Sequence, residues 1–295
     1  MIAFGSSVAN AEAYAAYARA GVQRAREPDS LVFPYQSGDS LARVYNLILE
    51  HVAPRDDLEA LVLHHQDVEL VGPDFCGAVR SALADPAVAI AGAVGARNAP
   101  SIAWWDGDVY WASCVYRYGE FGGGELPGLP GMTVHTPAPG TVTDVDTLYG
   151  MVLVMSPWAV RNLRFDEGLP PVHGHDFDIC RQARAAGRRV VCAHLGIVHH
   201  HSLELVCNAE AWAAAHELVA EKWDVPAPGE DWKARARRAE ADSGAGHLLV
   251  TSNQLQADAR HSVEAAARAR VEDTGSWRLT RPLRGLGARW AQRRN

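Results

Sequence analysis

A short polar segment directly after an apolar run is the first place in this 295-residue sequence where chemistry is expected. Residues 61–63, Leu-Val-Leu, have the composition of a buried strand, and the next four residues are His-His-Gln-Asp. Side chains alternate along a strand, so His65 and Asp67 point to one side. An imidazole and a carboxylate at one strand end suit a divalent cation. The alternative is a solvated strand end with one hydrogen-bonded histidine.

A second polar cluster is VHGHDFDIC, residues 172–180. Asp176 and Asp178 lie at the predicted start of a helix, where the helix dipole stabilises carboxylates. For Asp178 we favour a structural role, an ion pair with Arg181 one turn further on. Asp176 can cap the helix and still act as a general base.

The third cluster is IVHHHS, residues 197–202, at the end of the last predicted strand. Alternation along the strand places His200 opposite to His199 and His201, so only part of the cluster can bind one ion. For any single one of these histidines, a polar strand exit without metal is the simpler interpretation.

The elements that must position these clusters alternate between short apolar runs and helical patterns. The predicted strands are residues 2–4, 31–33 (ended by Pro34), 61–63, 88–95, 141–155 and 188–202. The predicted helices are residues 11–27, 40–52, 73–85, 175–187 and 209–223. This rhythm predicts an α/β fold with a mostly parallel sheet and helices on both faces. Ligands bind at the carboxyl ends of the strands in such sheets.

The rhythm stops between residues 97 and 140, a stretch rich in tryptophan, tyrosine, glycine and proline. It is too long for an ordinary connection, so we expect a functional flap or an excursion that lines a site.

Composition narrows the class of protein. The chain is 48% hydrophobic and 21% charged, as in globular proteins, and its net charge of −7 argues against nucleic-acid binding. Five cysteines without a CxxC motif indicate reduced thiols in a cytoplasmic protein. We expect no signal peptide and no membrane span, because no suitable apolar run is present.

The three clusters, in this order, resemble the family 2 glycosyltransferases of the GT-A fold, particularly bacterial members with HxDV in place of DxD. The resemblance covers roughly residues 2–203. The motifs that carry it are VYN at 44–46, LHHQDVEL at 63–70, FDE at 165–167, HGHDFDICRQARAAGRRVV at 173–191 and IVHHHS at 197–202. It implies a Rossmann-like GT-A domain at residues 1–205, followed by a helical C-terminal extension at residues 206–295.

The resemblance implies a metal site. Asp67 matches the last aspartate of DxD, which holds Mg²⁺ or Mn²⁺ and through it the donor diphosphate. His65 stands where the first aspartate usually lies, and imidazole is a poorer ligand for Mg²⁺ than for Mn²⁺. His200 aligns best with the histidine that completes the site, with His199 and His201 as close alternatives.

The resemblance also implies a base and a donor site. Asp176 matches the catalytic base. Ser6 and Ser7 follow the first predicted strand, where the nucleotide lies, and Pro34 and Tyr35 lie where the nucleobase is contacted. The aspartate expected there is missing, so the nucleotide stays open.

On the acceptor side, Asp146 and Gly150 fall where the acceptor approaches the donor sugar, with His175 beside the base. Trp104 and Trp105 either form a platform for the apolar face of a sugar or plug a hydrophobic space under a long loop.

The implied function is a metal-dependent inverting glycosyltransferase. It would move a sugar from a nucleotide-diphosphate donor to a glycan or lipid-linked acceptor in surface glycan or polysaccharide synthesis. The alternatives are a non-catalytic nucleotide-sugar-binding module of this fold and a sugar-phosphate nucleotidyltransferase. GSSVANAEAY after the first strand argues against the latter, which needs a glycine-rich basic loop there. The oligomeric state, including a homodimer, is open.

The C-terminal tail is basic and amphipathic. No acidic residue follows Asp273, and six arginines do. One helical face carries Leu279, Leu283, Leu286 and Trp290. The tail either docks on the acidic body of the protein or holds the enzyme peripherally at the inner face of the plasma membrane.

Overall fold

The structure is a computed structural model that describes residues 1–36, 40–118, 124–126, 134–138, 140–201 and 208–223. The strands are β1 (Ile2–Val8), β2 (Leu31–Gln36), β3 (Ala60–His64), β4 (Val68–Leu70), β5 (Val88–Gly92), β6 (Val94–Arg97), β7 (Asp108–Trp111), β8 (Cys114–Tyr118), β9 (Gly124–Leu126), β10 (Val134–His135), β11 (Val142–Asp144), β12 (Thr147–Leu148), β13 (Val152–Met155), β14 (Arg189–Ala193) and β15 (Ile197–His201). The helices are α1 (Ala11–Ala13), α2 (Arg19–Ala25), α3 (Leu41–Val52), α4 (Phe75–Ala82), α5 (Pro157–Asn162), α6 (His175–Ala185) and α7 (Ala209–Trp223). A π-helical turn, Tyr14–Ala18, joins α1 to α2, and a 3₁₀ turn spans Trp104–Asp106.

The central sheet has the order β11-β14-β5-β13-β3-β1-β2 within the described residues. Strands β1, β2, β3, β5 and β14 run in one direction, and β11 and β13 run in the other. Apolar side chains alternate between its two faces, as Ile2 and Phe4 belong to one core and Ala3 to the other. Helix α4 contributes to the first core and helices α3, α5 and α6 to the second. The predicted mostly parallel α/β architecture is confirmed.

Strands β1 and β2 extend further than the sequence predicted. Ser6 and Ser7 lie inside β1, and Pro34 and Tyr35 lie inside β2, so Pro34 does not end the strand. Proline is tolerated there because β2 is the edge strand and needs no outward N–H donor.

Single apolar patterns in the sequence divide into several strands. Residues 141–155 form β11, β12 and β13, and residues 188–202 contain β14 and β15, which belong to different sheets. Gly196 between β14 and β15 has φ +67°, and a Cβ there would lie 2.6 Å from Gly72 Cα. The change of sheet therefore depends on glycine at this position.

The stretch from 97 to 140 contributes strands to two small sheets. Their orders are β10-β7-β6-β12 and β4-β15-β8-β9 within the described residues. Strands of two to five residues that pair with distant partners leave little periodic signal, which explains why the sequence indicated only an irregular excursion.

Helix α7 follows the predicted domain boundary at residue 205 and packs on the α/β core, where Trp212, Ala215 and Val219 are buried. Cys76, Cys114, Cys180 and Cys192 are free and buried. No helix of the described chain is long and apolar enough to cross a membrane. The predicted amphipathic tail and Cys207 lie outside the described residues.

Candidate active site

Three polar side chains converge at the carboxyl end of β3. His65, Asp67 and His199 each offer one ligand atom, and these atoms all lie within 4.8 Å of one another. Asp67 Oδ1 is 3.3 Å from His199 Nε2. His65 and Asp67 lie in the turn after β3, which ends at His64, so this turn brings them together and the predicted strand alternation does not apply. His199 comes from β15, more than 130 residues later.

Strand pairing decides which histidine of β15 reaches this cluster. In the antiparallel pairing of β15 with β4, His199 lies opposite Val68, and the His200 amide donates to the Asp67 carbonyl at 2.9 Å. The His199 side chain is 1% exposed and faces the cluster.

His200 points away from the cluster, although the sequence favoured it as the third ligand. Its Nε2 is 3.0 Å from Glu69 Oε2, and its ring stacks on Tyr17 with centroids 3.9 Å apart. The physical reason is register: alternation separates neighbouring histidines, but the pairing with β4 selects the one that faces Asp67. The side chain of His201 lies outside the described residues.

The donor set fits a divalent cation. Burial lowers the pKa of His65 to about 4, with a contribution from His199, while the Asp67 carboxylate opposes the shift. His65 is therefore neutral near pH 7 and offers a lone pair to a metal. Three ligands at about 2.2 Å from one ion lie about 3.1–3.8 Å from one another. Ligand atoms as far as 4.8 Å apart would therefore need to approach by about 1–2 Å to bind the same ion.

Asp176 lies in the first turn of α6, as predicted. Its Oδ2 accepts a hydrogen bond from the Gly150 amide at 2.9 Å, and its Oδ1 accepts one from the Phe177 amide at 2.9 Å. Burial raises the pKa of Asp176 above its usual value, and these two hydrogen bonds offset part of the rise. Each oxygen keeps a further lone pair, so the carboxylate can still accept a proton.

Gly150 is required by close packing. A Cβ at this position would lie 3.0 Å from Asp176 Cβ and 3.3 Å from its Oδ2. The sequence predicted that Gly150 lies near the acceptor. That role stays a prediction, and the structure shows that the Gly150 amide donates a hydrogen bond to the candidate base.

The segment Tyr149–Met151, between β12 and β13, connects the base with the metal-ligand cluster. Gly150 contacts Asp176, and the Met151 carbonyl accepts a hydrogen bond from the His65 amide at 2.9 Å. The Tyr149 ring centroid is 6.4 Å from that of His65 and 5.8 Å from that of His199. Two clusters more than 100 residues apart in sequence thus meet around three consecutive residues.

Sequence reasoning missed Tyr149. Its ring also stacks on Trp104, with centroids 5.2 Å apart. The only available signal was its place next to Gly150 after a run of alternating residues, and that is a weak one.

Asp178 has a different partner from the one predicted. Arg181 lies over the Phe177 ring, 5.2 Å from its centroid, instead of pairing with Asp178. Asp178 Oδ1 is 2.8 Å from both Lys222 Nζ and Trp223 Nε1 of α7. The prediction was wrong because Asp178 is fully buried beneath α7, a tertiary contact that spacing within one helix cannot indicate.

Two of the predicted donor-binding residues line a cleft at the carboxyl ends of β1 and β2. Pro34 and Tyr35 contribute to its wall, together with Tyr14 and Arg19, and its volume is about 280 Å³. Ser6 is buried inside β1, with Ser7 partly exposed beside it. The loops after β1 and β3 touch, because the Asn10 amide donates to Gln66 Oε1 at 2.7 Å.

The remaining acceptor-side residues do not all gather at Asp176. Trp104 is buried in the core, and Trp105 stacks on Trp212 with centroids 6.1 Å apart. Trp104 therefore fills a hydrophobic space in the core and offers no platform for a sugar. Trp105 is partly exposed. His175 is buried, with Nε2 3.0 Å from the Pro170 carbonyl oxygen.

Asp146 lies towards the other end of α6. It pairs with Arg184 at 2.8 Å and accepts a hydrogen bond from the Asn98 amide at 2.6 Å. Eight residues of helix separate Arg184 from Asp176, which corresponds to about 12 Å. This arrangement sets Asp146 apart from the candidate base.

The chain is similar to known proteins in sequence and in fold. It is 28% identical over 213 residues to the streptomycin biosynthesis protein StrF of Streptomyces griseus, which covers 68% of this chain and 67% of StrF. Its structure matches that of GalNAc-T7 with UDP, GalNAc and Mn²⁺ with a TM-score of 0.51 and 9% identity, covering 76% of this chain and 48% of that chain. No protein-family profile matches the chain.

A further solved structure, the mannosyltransferase PcManGT from Pyrobaculum calidifontis in complex with GDP-Man and Mn²⁺, covers 94% of this chain at a TM-score of 0.46 and 12% identity, a likeness too weak to carry an argument. The similarity to GalNAc-T7, of which this chain spans about half the length, confirms the predicted GT-A-like fold class. Membership of family 2 stays a prediction.

Proposed function

We propose that the chain is a metal-dependent glycosyltransferase that moves a sugar from a nucleotide-diphosphate donor to an acceptor hydroxyl, with inversion at the sugar carbon. The observation that carries the proposal is the meeting of two clusters around Tyr149–Met151. On one side lie two imidazoles and a carboxylate within 4.8 Å of one another. On the other lies a carboxylate with a raised pKa. This pairing supplies both groups that the reaction needs.

In this proposal Asp176 acts as the base and three other side chains bind the metal ion. The acceptor oxygen would form a bond to the sugar C1 while the bond from C1 to the diphosphate oxygen breaks, and Asp176 would take the acceptor proton. Burial favours this role, because a higher pKa makes the carboxylate a stronger base. The Gly150 amide fixes the carboxylate in place. A divalent cation held by His65, Asp67 and His199 would stabilise the negative charge of the departing diphosphate.

Two imidazoles in the donor set favour Mn²⁺ over Mg²⁺, because Mg²⁺ prefers oxygen ligands. The cleft lined by Pro34, Tyr35 and Arg19 lies at the same sheet edge. Its position is consistent with our proposal that the nucleoside of the donor binds there. We propose that the acceptor is a glycan or a lipid-linked sugar. The similarity to StrF adds a small biosynthetic intermediate as a second candidate class.

Ligand-dependent stabilisation tests the donor and the metal together. UDP-, GDP-, dTDP- and CDP-sugars are screened by thermal shift with and without Mn²⁺, because a ligand that binds only the native state raises its apparent stability. We expect one donor class to stabilise the protein in a Mn²⁺-dependent manner. In Asp67→Ala the Mn²⁺-dependent part should vanish while the unliganded melting temperature stays close to that of the wild type.

A hydrolysis assay on the nucleotide sugar that this screen identifies decides between an enzyme and a binding module. Slow Mn²⁺-dependent hydrolysis of the bound nucleotide sugar supports an enzyme, whereas tight binding without any turnover supports the non-catalytic alternative. If no nucleotide sugar binds with Mn²⁺ present, the proposed function is wrong.

A further inference from the structure

We propose that helix α7, which follows the sequence motifs at residues 2–203, is a positioning element of the site: Lys222 and Trp223 hold the buried Asp178 and thereby fix the first turn of α6 with the candidate base Asp176. The inference rests on the proposed function, because it takes Asp176 as the base. Lys222, Trp223 and Asp178 are positioning residues that do not touch the reacting atoms.

The first turn of α6 needs external support. Its N-cap is Gly174, with φ +82°, which offers no capping side chain, and the Phe177 amide of this turn is bonded to Asp176 itself. Glycine supplies the left-handed conformation but no capping oxygen, and the first amides of a helix have no partner within the helix. The orientation of Asp176 therefore depends on contacts that neighbouring elements make with this turn.

Asp176 and Asp178 are held from opposite sides of α6. Two residues along a helix correspond to a rotation of about 200°. Asp176 faces Gly150, whereas Asp178 faces α7 and is 0% exposed. The Gln182 side chain donates to Asp178 Oδ2 at 2.8 Å, so both oxygens of this buried carboxylate are bonded.

Lys222 joins α6 to the loop that precedes it. Its Nζ lies 2.8 Å from Asp178 Oδ1 and 2.6 Å from Asp166 Oδ2. Burial alone would lower the pKa of Lys222, but hydrogen bonds to both aspartates raise it above its usual value. Lysine therefore stays charged and compensates a carboxylate that would otherwise be buried without a counter-charge, which is strongly destabilising.

The apolar face of α7 completes the contact. A Cβ on Gly174 would lie 3.3 Å from Val219 Cγ2 and 3.6 Å from Ala215 Cβ, so α7 lies directly against the N-cap of α6. Trp212, one turn before Ala215, stacks on Trp105 of the excursion. Movement of α7 would consequently reach the first turn of α6 through both packing and the ion pair.

The test compares two cations that each lie between two carboxylates. Lys222→Met removes the charge next to Asp178, whereas Arg80→Met removes a cation that pairs with Glu27 and Glu59, away from the site. Hydrogen exchange is measured at the Gly150 amide and at residues 174–178 in the full-length chain. Lys222→Met should accelerate exchange at these amides about tenfold or more, and Arg80→Met should leave them unchanged.

The kinetic readout uses the nucleotide sugar identified by the donor screen. In Lys222→Met, kcat should fall at least about tenfold with donor affinity within about twofold, because misplacement of a catalytic group affects the chemical step. The acid limb of the kcat profile should move to higher pH, because loss of the Gly150 hydrogen bond raises the pKa of Asp176 further. Lys222→Arg should restore most of the rate.

Trp223→Phe covers the case in which Lys222→Met does not fold, because it removes one donor to Asp178 and keeps the aromatic packing. Unchanged exchange at Gly150 and residues 174–178 in the folded variants would overturn the inference, as would equal acceleration in Arg80→Met. If the wild type turns over no nucleotide sugar, the proposed function fails, while the exchange comparison still decides whether α7 positions Asp176.

Discussion

Replacement of two neighbouring histidines in turn tests which of them is a metal ligand. His199→Ala removes one of the three donors in the cluster with His65 and Asp67. His200→Ala removes a side chain one residue away that faces Glu69 and Tyr17 instead. The two variants delete the same group from the same strand, so a difference between them reports the direction in which each side chain points.

His199→Ala should mainly lower metal affinity, whereas His200→Ala should mainly lower folding stability. Loss of an outer-shell partner of a ligand already costs 10- to 100-fold in metal affinity, so loss of His199 should cost at least about 100-fold, or about 2.7 kcal/mol. His200→Ala should change metal affinity less than about threefold. It should instead lower the free energy of unfolding by about 1–3 kcal/mol through the lost stack and hydrogen bond. Glu69 keeps its ion pair with Arg24 at 2.7 Å.

Electron paramagnetic resonance of free Mn²⁺ measures the affinity directly, in the presence of an excess of the nucleoside diphosphate that binds best. His199→Gln serves as a second variant, because Ala leaves a void among the rings of Tyr116, Tyr149 and His65. Near-wild-type Mn²⁺ affinity in both His199 variants, or a large loss in His200→Ala, would refute the assignment of the third ligand.

Three further predictions concern the base, the response to acid and the tail. Asp176→Asn should reduce transfer at least ~100-fold with donor binding nearly unchanged, as measured by steady-state kinetics, and normal turnover would assign the proton to another group. Burial lowers the pKa of His175 to about 4, so between pH 6.5 and 4 the unfolded state binds more protons. The urea-derived free energy of unfolding should therefore fall by about 2 kcal/mol more from pH 7 to 5 in the wild type than in His175→Gln. Deletion of residues 275–295 should abolish salt-sensitive co-sedimentation with anionic liposomes while donor binding persists, and a full-length protein that ignores such liposomes would favour docking on the protein body.

The sequence by itself predicted the α/β architecture and two of the segments that form the candidate site. The buried run before His65, the amphipathic period of α3 and the glycine at residue 187 are local signals, because strand alternation and helical spacing depend on neighbours in the chain. The sequence also predicted that His65 and Asp67 lie close together, although the structure places them in a turn where strand alternation does not apply. The motif resemblance pointed to Asp176, which lies in the first turn of α6. These inferences needed no knowledge of distant residues.

Tertiary structure decided which groups complete the site. The pairing of β15 with β4 selected His199 over His200. Burial beneath α7 gave Asp178 the partner Lys222 instead of Arg181. The turn between β12 and β13 brought Tyr149 beside His65 and His199. In each case the deciding contact joins residues more than 40 positions apart, and such contacts are fixed by strand register and helix packing, which leave no periodic trace in the sequence around either partner.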